Sequence, residues 1–363
     1  MQVEQTTLKR VLIMAGGTGG HVFPGLALAH YLHTQGVEVH WLGTRQGIEA
    51  RLVPEANIPL HYLSVSGLRG KGIATRLLAP VRIATATMQA MRVLRRIRPD
   101  VVVGMGGFAS GPGGIASWLL RYPLVIHEQN AKAGLTNKVL ARLACRVLEG
   151  FPGTFPAQPK VVAVGNPVRV EIESLPNPQQ RFKERKAPLR LLVLGGSLGA
   201  QALNSLVPSA LALLQQEERP EVRHQSGEKH FETAKTDYKT MGISATVTPF
   251  IQDMAEAYAW ADIVLCRAGA LTVAELCAAG LGAILVPFPH AVDDHQTANA
   301  HFMADHQAAL CIQQKDMTIS CLAEHVKSFS LQPEKRLAMA EQSYALRKVH
   351  VAEKIFDILS KIN

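Results

Sequence analysis

Two strand–glycine–helix modules limit what this chain can fold into. The first runs from an apolar strand, Arg10–Ala15, into GGTGGH at 16–21, and a helical pattern starts near Phe23-Pro24. The second runs from an apolar strand at 191–194 into GGSLGA at 195–200. Glycine lets the backbone approach a ligand closely, and the start of a helix offers free N–H groups to an anion. Two such modules predict two similar halves that face one cleft.

Strand and helix candidates alternate along both halves, which is typical of a doubly wound α/β fold. Several of the strands are continuous apolar runs, as expected for a parallel sheet that is covered on both faces. The predicted strands are Val11–Met14, Val37–Leu42, Leu60–Val65, Val101–Gly104, Leu124–His127, Arg146–Leu148, Val161–Val164, Arg190–Leu194, Val222–Gln225, Ala245–Pro249, Ile263–Cys266 and Ala283–Val286. Predicted helices include Gly25–Gln35, Ala79–Arg96 and the tail from Glu334.

The length of 363 residues favours two domains. A polar, proline-rich stretch from Asn166 to Pro188 predicts the link between them. Ligands of open α/β sheets bind beyond the carboxyl ends of the strands, so we expect the site where the two glycine loops meet.

Cysteine usage and hydropathy indicate the cellular setting. The five cysteines are scattered and form no C-x-x-C pair, which favours reduced thiols in the cytoplasm over disulfides or a zinc site. The first apolar run is too short for a secretory signal, and no segment is predicted to span a membrane.

Positive charge is concentrated in the first half of the chain. Residues 1–165 carry 18 Lys and Arg against 7 Asp and Glu, whereas the remainder is close to neutral. The stretch 56–99 holds no acid and eight bases: Arg69, Lys71, Arg76, Arg82, Arg92, Arg95, Arg96 and Arg98. Interleaved apolar residues such as Ile73 and Leu77 predict contact with anionic lipid headgroups. Nucleic acid is not expected, because few aromatic residues accompany the bases. The alternative interpretation is that these bases form only a solvated basic face of a helix.

Two candidate sites follow strands of the first half. His21 comes after four glycines, where an imidazole suits a reacting hydroxyl or a phosphate; a backbone-bonded histidine at a helix start is the alternative. HEQN at 127–130 ends a strand with four polar side chains, which favours a site over a core. GMGGFA at 104–109 fits a dinucleotide fingerprint, but it follows a late strand, so a glycine turn that lets another molecule approach closely is preferred to a nicotinamide site, with simple packing as the other alternative.

Two further candidates lie in the second half. Glu275, early in the helix after Ile263–Cys266, is suited to accept hydrogen bonds from a ribose diol; the alternative is that it complements the helix dipole. PHAVDDHQ at 289–296 lacks an Asp-x-Asp spacing and a nearby cysteine, so contacts to sugar hydroxyls are preferred to a metal site. We expect neither a metal nor a cofactor.

Eight stretches resemble the MurG family of glycosyltransferases, in family order across nearly the whole chain. They are MAGGTGGHVFPGLALA (14–29), SGLRGKGI (66–73), GMGGFASGPGG (104–114), HEQNAKAGLTNK (127–138), GNPVR (165–169), GGSLGA (195–200), RAGALTVAEL (267–276) and VPFPHAVDDHQTANA (286–300). The resemblance implies a GT-B fold, with two Rossmann-like doubly wound domains facing a deep cleft. Residues 1–166, joined by the C-terminal helix at about 343–363, would form the acceptor and membrane-facing domain. Residues 167–342 would bind the UDP-sugar.

The resemblance also implies the reaction. N-acetylglucosamine would pass from UDP-N-acetylglucosamine to the C4 hydroxyl of undecaprenyl-linked N-acetylmuramoyl-pentapeptide, with inversion, on a protein peripheral to the cytoplasmic face of the inner membrane. A related epimerase, which uses the same donor without an acceptor, is the first alternative. The second is a non-catalytic protein that binds anionic lipid or nucleic acid.

Site roles carry over by position. His21 would be the general base, and Arg69, Lys71, Ile73, Leu77, Gly106 and Gly107 would serve the acceptor and the membrane. Among the donor contacts, the backbone of Ile251 would read the uracil, Glu275 the ribose and Gln296 the sugar hydroxyls. The full set of donor contacts is Thr18, Gly19, Gly20, Asn130, Arg169, Ser197, Ile251, Ala270, Leu271, Thr272, Val273, Ala274, Glu275 and Gln296.

Overall fold

A computed structural model describes residues 8–64, 79–183, 185, 188–196 and 200–362. The chain divides into two compact units: unit 1 holds Met1–Pro167 and His350–Asn363, and unit 2 holds Val168–Val349. Five residues with predicted roles lie outside the described residues: Arg69, Lys71, Ile73, Leu77 and Ser197. No helix of the described segments is both long and apolar enough to cross a membrane.

Unit 1 contains a seven-stranded sheet in the order β3-β2-β1-β4-β5-β6-β7. All its ladders are parallel. The strands are β1 Arg10–Ala15, β2 Glu38–Gly43, β3 Leu60–Tyr62, β4 Val101–Gly106, β5 Leu124–Glu128, β6 Arg146–Glu149 and β7 Val161–Ala163. The helices are α1 Gly19–Thr34, α2 Glu49–Glu55, α3 Ala79–Ile97, α4 Ser110–Leu119 and α5 Leu135–Leu140.

Strand β1 explains why the apolar runs are continuous. Val11 and Ile13 join one core, together with Leu28 of α1. Leu12 joins another, together with Leu94 of α3. Because successive side chains of a strand point to opposite faces, a strand that is covered on both sides needs apolar residues at every position.

Unit 2 repeats the winding with six parallel strands in the order β10-β9-β8-β11-β12-β13. The strands are β8 Arg190–Leu194, β9 Glu221–Gln225, β10 Thr246–Thr248, β11 Ile263–Cys266, β12 Gly282–Leu285 and β13 Ala309–Cys311. The helices are α6 Val170–Glu173, α7 Pro178–Phe182, α8 Gln201–Ala212, α9 Phe231–Thr240, α10 Met254–Trp260, α11 Ala270–Ala279, α12 His295–Ala304, α13 Ile319–Leu331 and α14 Pro333–Ala345. The predicted α/β class, with two doubly wound parallel sheets, is confirmed; the sequence analysis missed β13, a three-residue strand.

The last helix, α15 (Val351–Ser360), belongs to unit 1 although it follows unit 2 in the chain. It packs on α1, with the rings of Tyr31 and Phe356 6.0 Å apart. Val351, Ile355 and Leu359 lie in the same core as β1. The apolar stripe predicted for the tail therefore completes the core of the first half.

Candidate functional site

Helix α1 starts earlier than predicted and contains the second half of the first glycine loop. Its N-cap is Thr18, and Gly19 is its first residue, whereas the sequence pattern placed the start near Phe23. The apolar periodicity begins late because glycines occupy the first turn. The backbone N–H of His21 donates to the carbonyl of Thr18. Gly19 and Gly20 therefore lie where a helix has N–H groups without intrahelical acceptors, which is an anion-binding geometry.

The buried carboxylate of Glu49 forms hydrogen bonds that hold the first glycine loop in place. Its Oε2 accepts from the N–H of Gly17 at 3.0 Å, and its Oε1 accepts from the N–H and hydroxyl of Thr44 at 2.9 and 2.7 Å. A Cβ on Gly16 would lie 2.6 Å from Oε1. Sequence reasoning missed Glu49, because nothing in its own stretch indicates that it reaches a loop 32 residues earlier.

The β4–α4 turn passes close to the same loop. Gly106 and Gly107 have φ of +102° and +85°. A Cβ on Gly107 would lie 2.1 Å from the carbonyl oxygen of Gly16, and one on Gly106 would lie 2.8 Å from the His21 ring. The structure thus accounts for both glycines by contacts within unit 1, and their role toward an acceptor stays a prediction.

A row of hydrogen bonds connects His21 with the end of β5. His21 Nδ1 lies 2.9 Å from Gln129 Oε1, and Gln129 Nε2 lies 3.1 Å from His127 Nδ1. His127 Nε2 lies 2.8 Å from the carbonyl oxygen of Gly165. Burial lowers the pKa of His127, which keeps this imidazole neutral. The His21 ring is therefore bonded to a side chain and not to the backbone.

Glu128 organises the loop after β5. Its carboxylate accepts from the backbone N–H groups of Asn130 and Gly134 and from the side-chain amides of Asn130 and Asn137 at 2.9–3.1 Å. His127, Glu128 and Gln129 are fully buried, so three of the four HEQN residues act within the protein. Asn130, the predicted sugar contact, is half-buried.

The second glycine loop has a buried polar support of its own. The N–H of Gly195 donates to the carbonyl of Gln225 at 2.8 Å. The side chain of Asn204 donates to the carbonyl of Ser226 at 2.9 Å, and its Oδ1 lies 3.0 Å from His224 Nε2. Burial lowers the pKa of His224 to about 4. Sequence reasoning missed Asn204 and His224.

Glu275 and Arg169, both predicted to contact the nucleotide, lie together in unit 2. Glu275 is in the second turn of α11, buried, and its Oε1 accepts from the Arg169 guanidinium at 2.8 Å. Its Oε2 accepts from the hydroxyl of Tyr258, at 3.1 Å, which sequence reasoning missed. Burial raises the pKa of Glu275, and Arg169 opposes that change. A carboxylate in such a pair keeps lone pairs for further donors.

The other predicted donor contacts follow strands β10, β11 and β12. Ala270 begins α11, with Gly269 as its N-cap, and Val273 is fully buried. Leu271, Thr272 and Ala274 are half-buried, as is Ile251 in the loop after β10. Gln296, in the first turn of α12, accepts through Oε1 from the N–H of Phe288 at 2.9 Å. In the described part of the chain, no group of three or more His, Cys, Asp or Glu side chains is arranged to hold a metal ion.

Comparisons with known proteins match both units. The model of the glycosyltransferase family 28 N-terminal domain matches residues 11–149, and that of the family's C-terminal domain matches residues 190–355. A Marinobacter nauticus protein named UDP-N-acetylglucosamine–N-acetylmuramyl-(pentapeptide) pyrophosphoryl-undecaprenol N-acetylglucosamine transferase is 55% identical over 96% of each chain. A Burkholderia pseudomallei protein of the same name is 50% identical over 98% of this chain and 97% of its own. The crystal structure of Acinetobacter baumannii MurG superposes with a TM-score of 0.84 at 42% identity, covering 97% of this chain and 99% of that one.

Proposed function

The chain belongs to glycosyltransferase family 28 and is a hexosyltransferase, and we propose that it transfers N-acetylglucosamine from UDP-N-acetylglucosamine to lipid-linked N-acetylmuramoyl-pentapeptide. The observation that carries the proposal is the identity of 50–55% with proteins named for this reaction, over nearly the full length of both partners. A match of that extent includes both glycine loops and the polar ends of the strands around them. An epimerase is not favoured, because the relatives compared above at 50–55% identity are named for the transferase.

The reaction is a single inverting displacement. The C4 hydroxyl of the muramoyl unit loses its proton to Nε2 of His21, and its oxygen forms a bond to the anomeric carbon of the donor sugar. The bond from that carbon to the diphosphate breaks, and the electron pair leaves with UDP. The second glycine loop, with Ser197, and the start of α8 stabilise the charge on the diphosphate, which is the task a metal performs elsewhere. The first-turn groups of α1, from Thr18 to Gly20, have an anion-binding geometry that suits the sugar–diphosphate side of the donor.

The Arg169–Glu275 pair forms the nucleotide end of the donor site. Glu275 accepts hydrogen bonds from the two ribose hydroxyls, while Arg169 opposes the effect of burial, which raises the pKa of Glu275, and contributes positive charge toward the diphosphate. The hydroxyl of Tyr258 fixes the other carboxylate oxygen, which sets the angle at which the ribose is received. The half-buried Asn130 and Gln296 then contact the sugar.

The basic face of unit 1 contacts an anionic membrane surface at the cytoplasmic side. On α3, Val81 and Met88 are 63% and 54% exposed, and Arg82, Arg92 and Arg95 are exposed on the same helix. Helix α4, which packs against α3, exposes Trp118 at 53%. Apolar residues surrounded by bases are suited to an interface of acyl chains and anionic headgroups.

Transfer of labelled N-acetylglucosamine from its UDP donor to a lipid-linked muramoyl-peptide, with and without a chelator, tests the proposal. We expect transfer that survives chelation. UDP binding without transfer would replace the acceptor assignment with an epimerase-like activity, which formation of UDP-N-acetylmannosamine would identify. Transfer that stops on chelation would refute the metal-free stabilisation of the diphosphate.

A further inference from the structure

We propose that Gln129 is a positioning residue that holds the neutral His21 imidazole in the tautomer with its proton on Nδ1. Nε2 then carries a lone pair toward the reacting hydroxyl. The proposal rests on the proposed function for its consequence, but the tautomer itself follows from contacts within unit 1 and is measured without substrate.

The protonation of His127 follows from its hydrogen-bond partner and its burial. Its Nε2 lies 2.8 Å from the carbonyl oxygen of Gly165, which can only accept, so Nε2 must carry a proton. The ring is fully buried and burial lowers its pKa, so it is neutral and has no second proton. Its Nδ1 is therefore an acceptor.

The orientation of the Gln129 amide follows from the two atoms that its Nε2 faces. Nε2 lies 3.1 Å from His127 Nδ1 and 3.3 Å from the carbonyl oxygen of His127. Both of these atoms accept, so the NH₂ group of the amide must face them. A flipped amide would bring its oxygen against two acceptors in a buried site, which costs on the order of 1–3 kcal/mol for each unsatisfied group.

The orientation of this amide decides which ring nitrogen of His21 carries the proton. With the amide so oriented, Gln129 Oε1 faces His21 Nδ1 at 2.9 Å. An amide oxygen cannot donate, so Nδ1 must carry the proton. When the imidazole is neutral, Nε2 is left as the basic nitrogen.

The surroundings keep this arrangement in place. Gln129 is fully buried, and its carbonyl oxygen accepts from the side-chain amide of Asn166 at 2.9 Å. At Gly106 the backbone has φ +102°, and an added Cβ would lie 2.8 Å from both Cε1 and Nδ1 of His21. The ring therefore packs directly against backbone, which restricts its rotation.

The consequence is catalytic. Free neutral histidine favours the other tautomer, with the proton on Nε2, and in that form the ring would present a proton to a hydroxyl that must lose one. A correctly placed general base contributes on the order of 10²–10⁴-fold to a rate. Gln129 secures that contribution without touching the substrate.

Nitrogen-15 NMR of histidine-labelled protein measures the tautomer directly, and the spectrum of His21→Gln identifies the His21 signals. We expect neutral His21 to show a protonated Nδ1 and an unprotonated Nε2, and Gln129→Leu to shift the population toward the Nε2–H form. A wild-type His21 protonated on Nε2 would overturn the inference. This readout needs no turnover, so it separates failure of the inference from failure of the proposed reaction.

Kinetics test the consequence. Gln129→Leu should lower kcat about 10²-fold with little change in the donor KM. Gln129→Glu retains an acceptor for Nδ1–H but places its second oxygen against the two acceptors of His127, so it should lower stability, keep a higher kcat than Gln129→Leu, and move the acid limb of the pH profile to higher pH, because a carboxylate favours the imidazolium. Equal losses in both variants with unchanged pH profiles would contradict the inference.

Asn137→Leu is the matched control. Asn137 is another buried amide of unit 1, and it donates to the carbonyl of His127 and to Glu128 without a contact to His21. It should lower thermal stability while leaving the His21 tautomer as in the wild type. A tautomer change in Asn137→Leu equal to that in Gln129→Leu would show that loosening the loop is sufficient and would refute a specific role for Gln129.

Discussion

At the scale of single residues, buried polar side chains shape the loops that are predicted to bind substrate. Glu49, Glu128 and Asn204 each use side-chain oxygen or amide groups to hold backbone groups of a loop after a strand. Loop backbone that is held open for a ligand lacks a ladder partner, so side chains must satisfy its N–H and carbonyl groups. Glu49 thereby gives the first glycine loop a defined shape despite the freedom of glycine, while Glu128 and Asn204 hold the loops after β5 and β9.

Glu49→Gln tests the support of the first loop. The amide can still accept from Thr44, but its NH₂ group cannot accept from the N–H of Gly17, so this half-buried donor loses its partner. We expect a loss of about 1–3 kcal/mol in the free energy of unfolding of unit 1 and a lower kcat. Thermal unfolding and transfer kinetics measure both. Unchanged stability would show that water replaces the carboxylate.

The pKa of His224 predicts how unit 2 responds to pH. Burial lowers the pKa of His224 to about 4 from the ordinary histidine value of 6.5, so between these two pH values the unfolded chain binds a proton that the folded protein does not. Stability is therefore lost as the pH falls from 6.5 to 4, by about 3 kcal/mol for this group. Hydrogen exchange of the β8 and β9 amides, corrected for intrinsic rates, should show this loss in the wild type.

His224→Gln should flatten that dependence. His61→Gln is the control, because the pKa of His61 is also lowered to about 4 but the residue lies in unit 1. It should leave the exchange of β8 and β9 unaltered. The same pH dependence in His224→Gln as in the wild type would assign the effect to other groups.

At the scale of elements, helix starts and exposed helix faces connect the fold with its surroundings. α1 begins inside the glycine loop, so its first turn belongs to the candidate site. α3 has a buried side with Ala90 and Leu94 and an exposed side with Val81, Met88 and several arginines. A helix with these two sides packs on the sheet and still offers an apolar, cationic surface.

Val81→Glu tests the membrane surface. Replacing an exposed valine by an acid should weaken binding to vesicles that contain an anionic phospholipid by at least about tenfold, because apolar burial is lost and charge repulsion is added. UDP binding should be unchanged. Leu213→Glu, an equally exposed apolar position in unit 2, is the control. Equal vesicle affinity in both variants would rule out the α3 surface.

At the scale of the whole molecule, both units repeat the same arrangement, a doubly wound parallel sheet with its first strand in the interior. In both sheets the strand before the glycine loop, β1 or β8, lies in the interior, with the next strand along the chain on one side and a later strand on the other. At such a switch point the loops diverge to opposite faces and leave a crevice at the carboxyl ends of the strands. The C-terminal residues return to unit 1, so its core depends on residues at both ends of the chain.

Phe356→Ala tests that dependence. Phe356 is 7% exposed and contacts Tyr31 of α1, so its truncation should cost about 3–5 kcal/mol in the stability of unit 1. Thermal unfolding should show that unit 1 of the variant melts at a lower temperature than in the wild type. Below that melting temperature, the variant should still bind UDP. Leu331→Ala, at a position that is 61% exposed in unit 2, should change neither. An unaltered melting temperature in Phe356→Ala would mean that α15 is dispensable for the core.

The α/β class, the two-fold repetition and most of the strands can be read from the residues alone, because buried parallel strands need apolar residues at every position and glycine loops mark their ends. The sequence also marked His21 and Glu275, whereas Arg169 was assigned only through the resemblance to the family. Only the tertiary structure decided that Arg169 pairs with Glu275, that Glu49 holds the first loop and that Gln129 faces His21. Those contacts join residues 32 to 108 positions apart. Which polar side chains meet depends on strand order and register, and no local pattern along the chain records them.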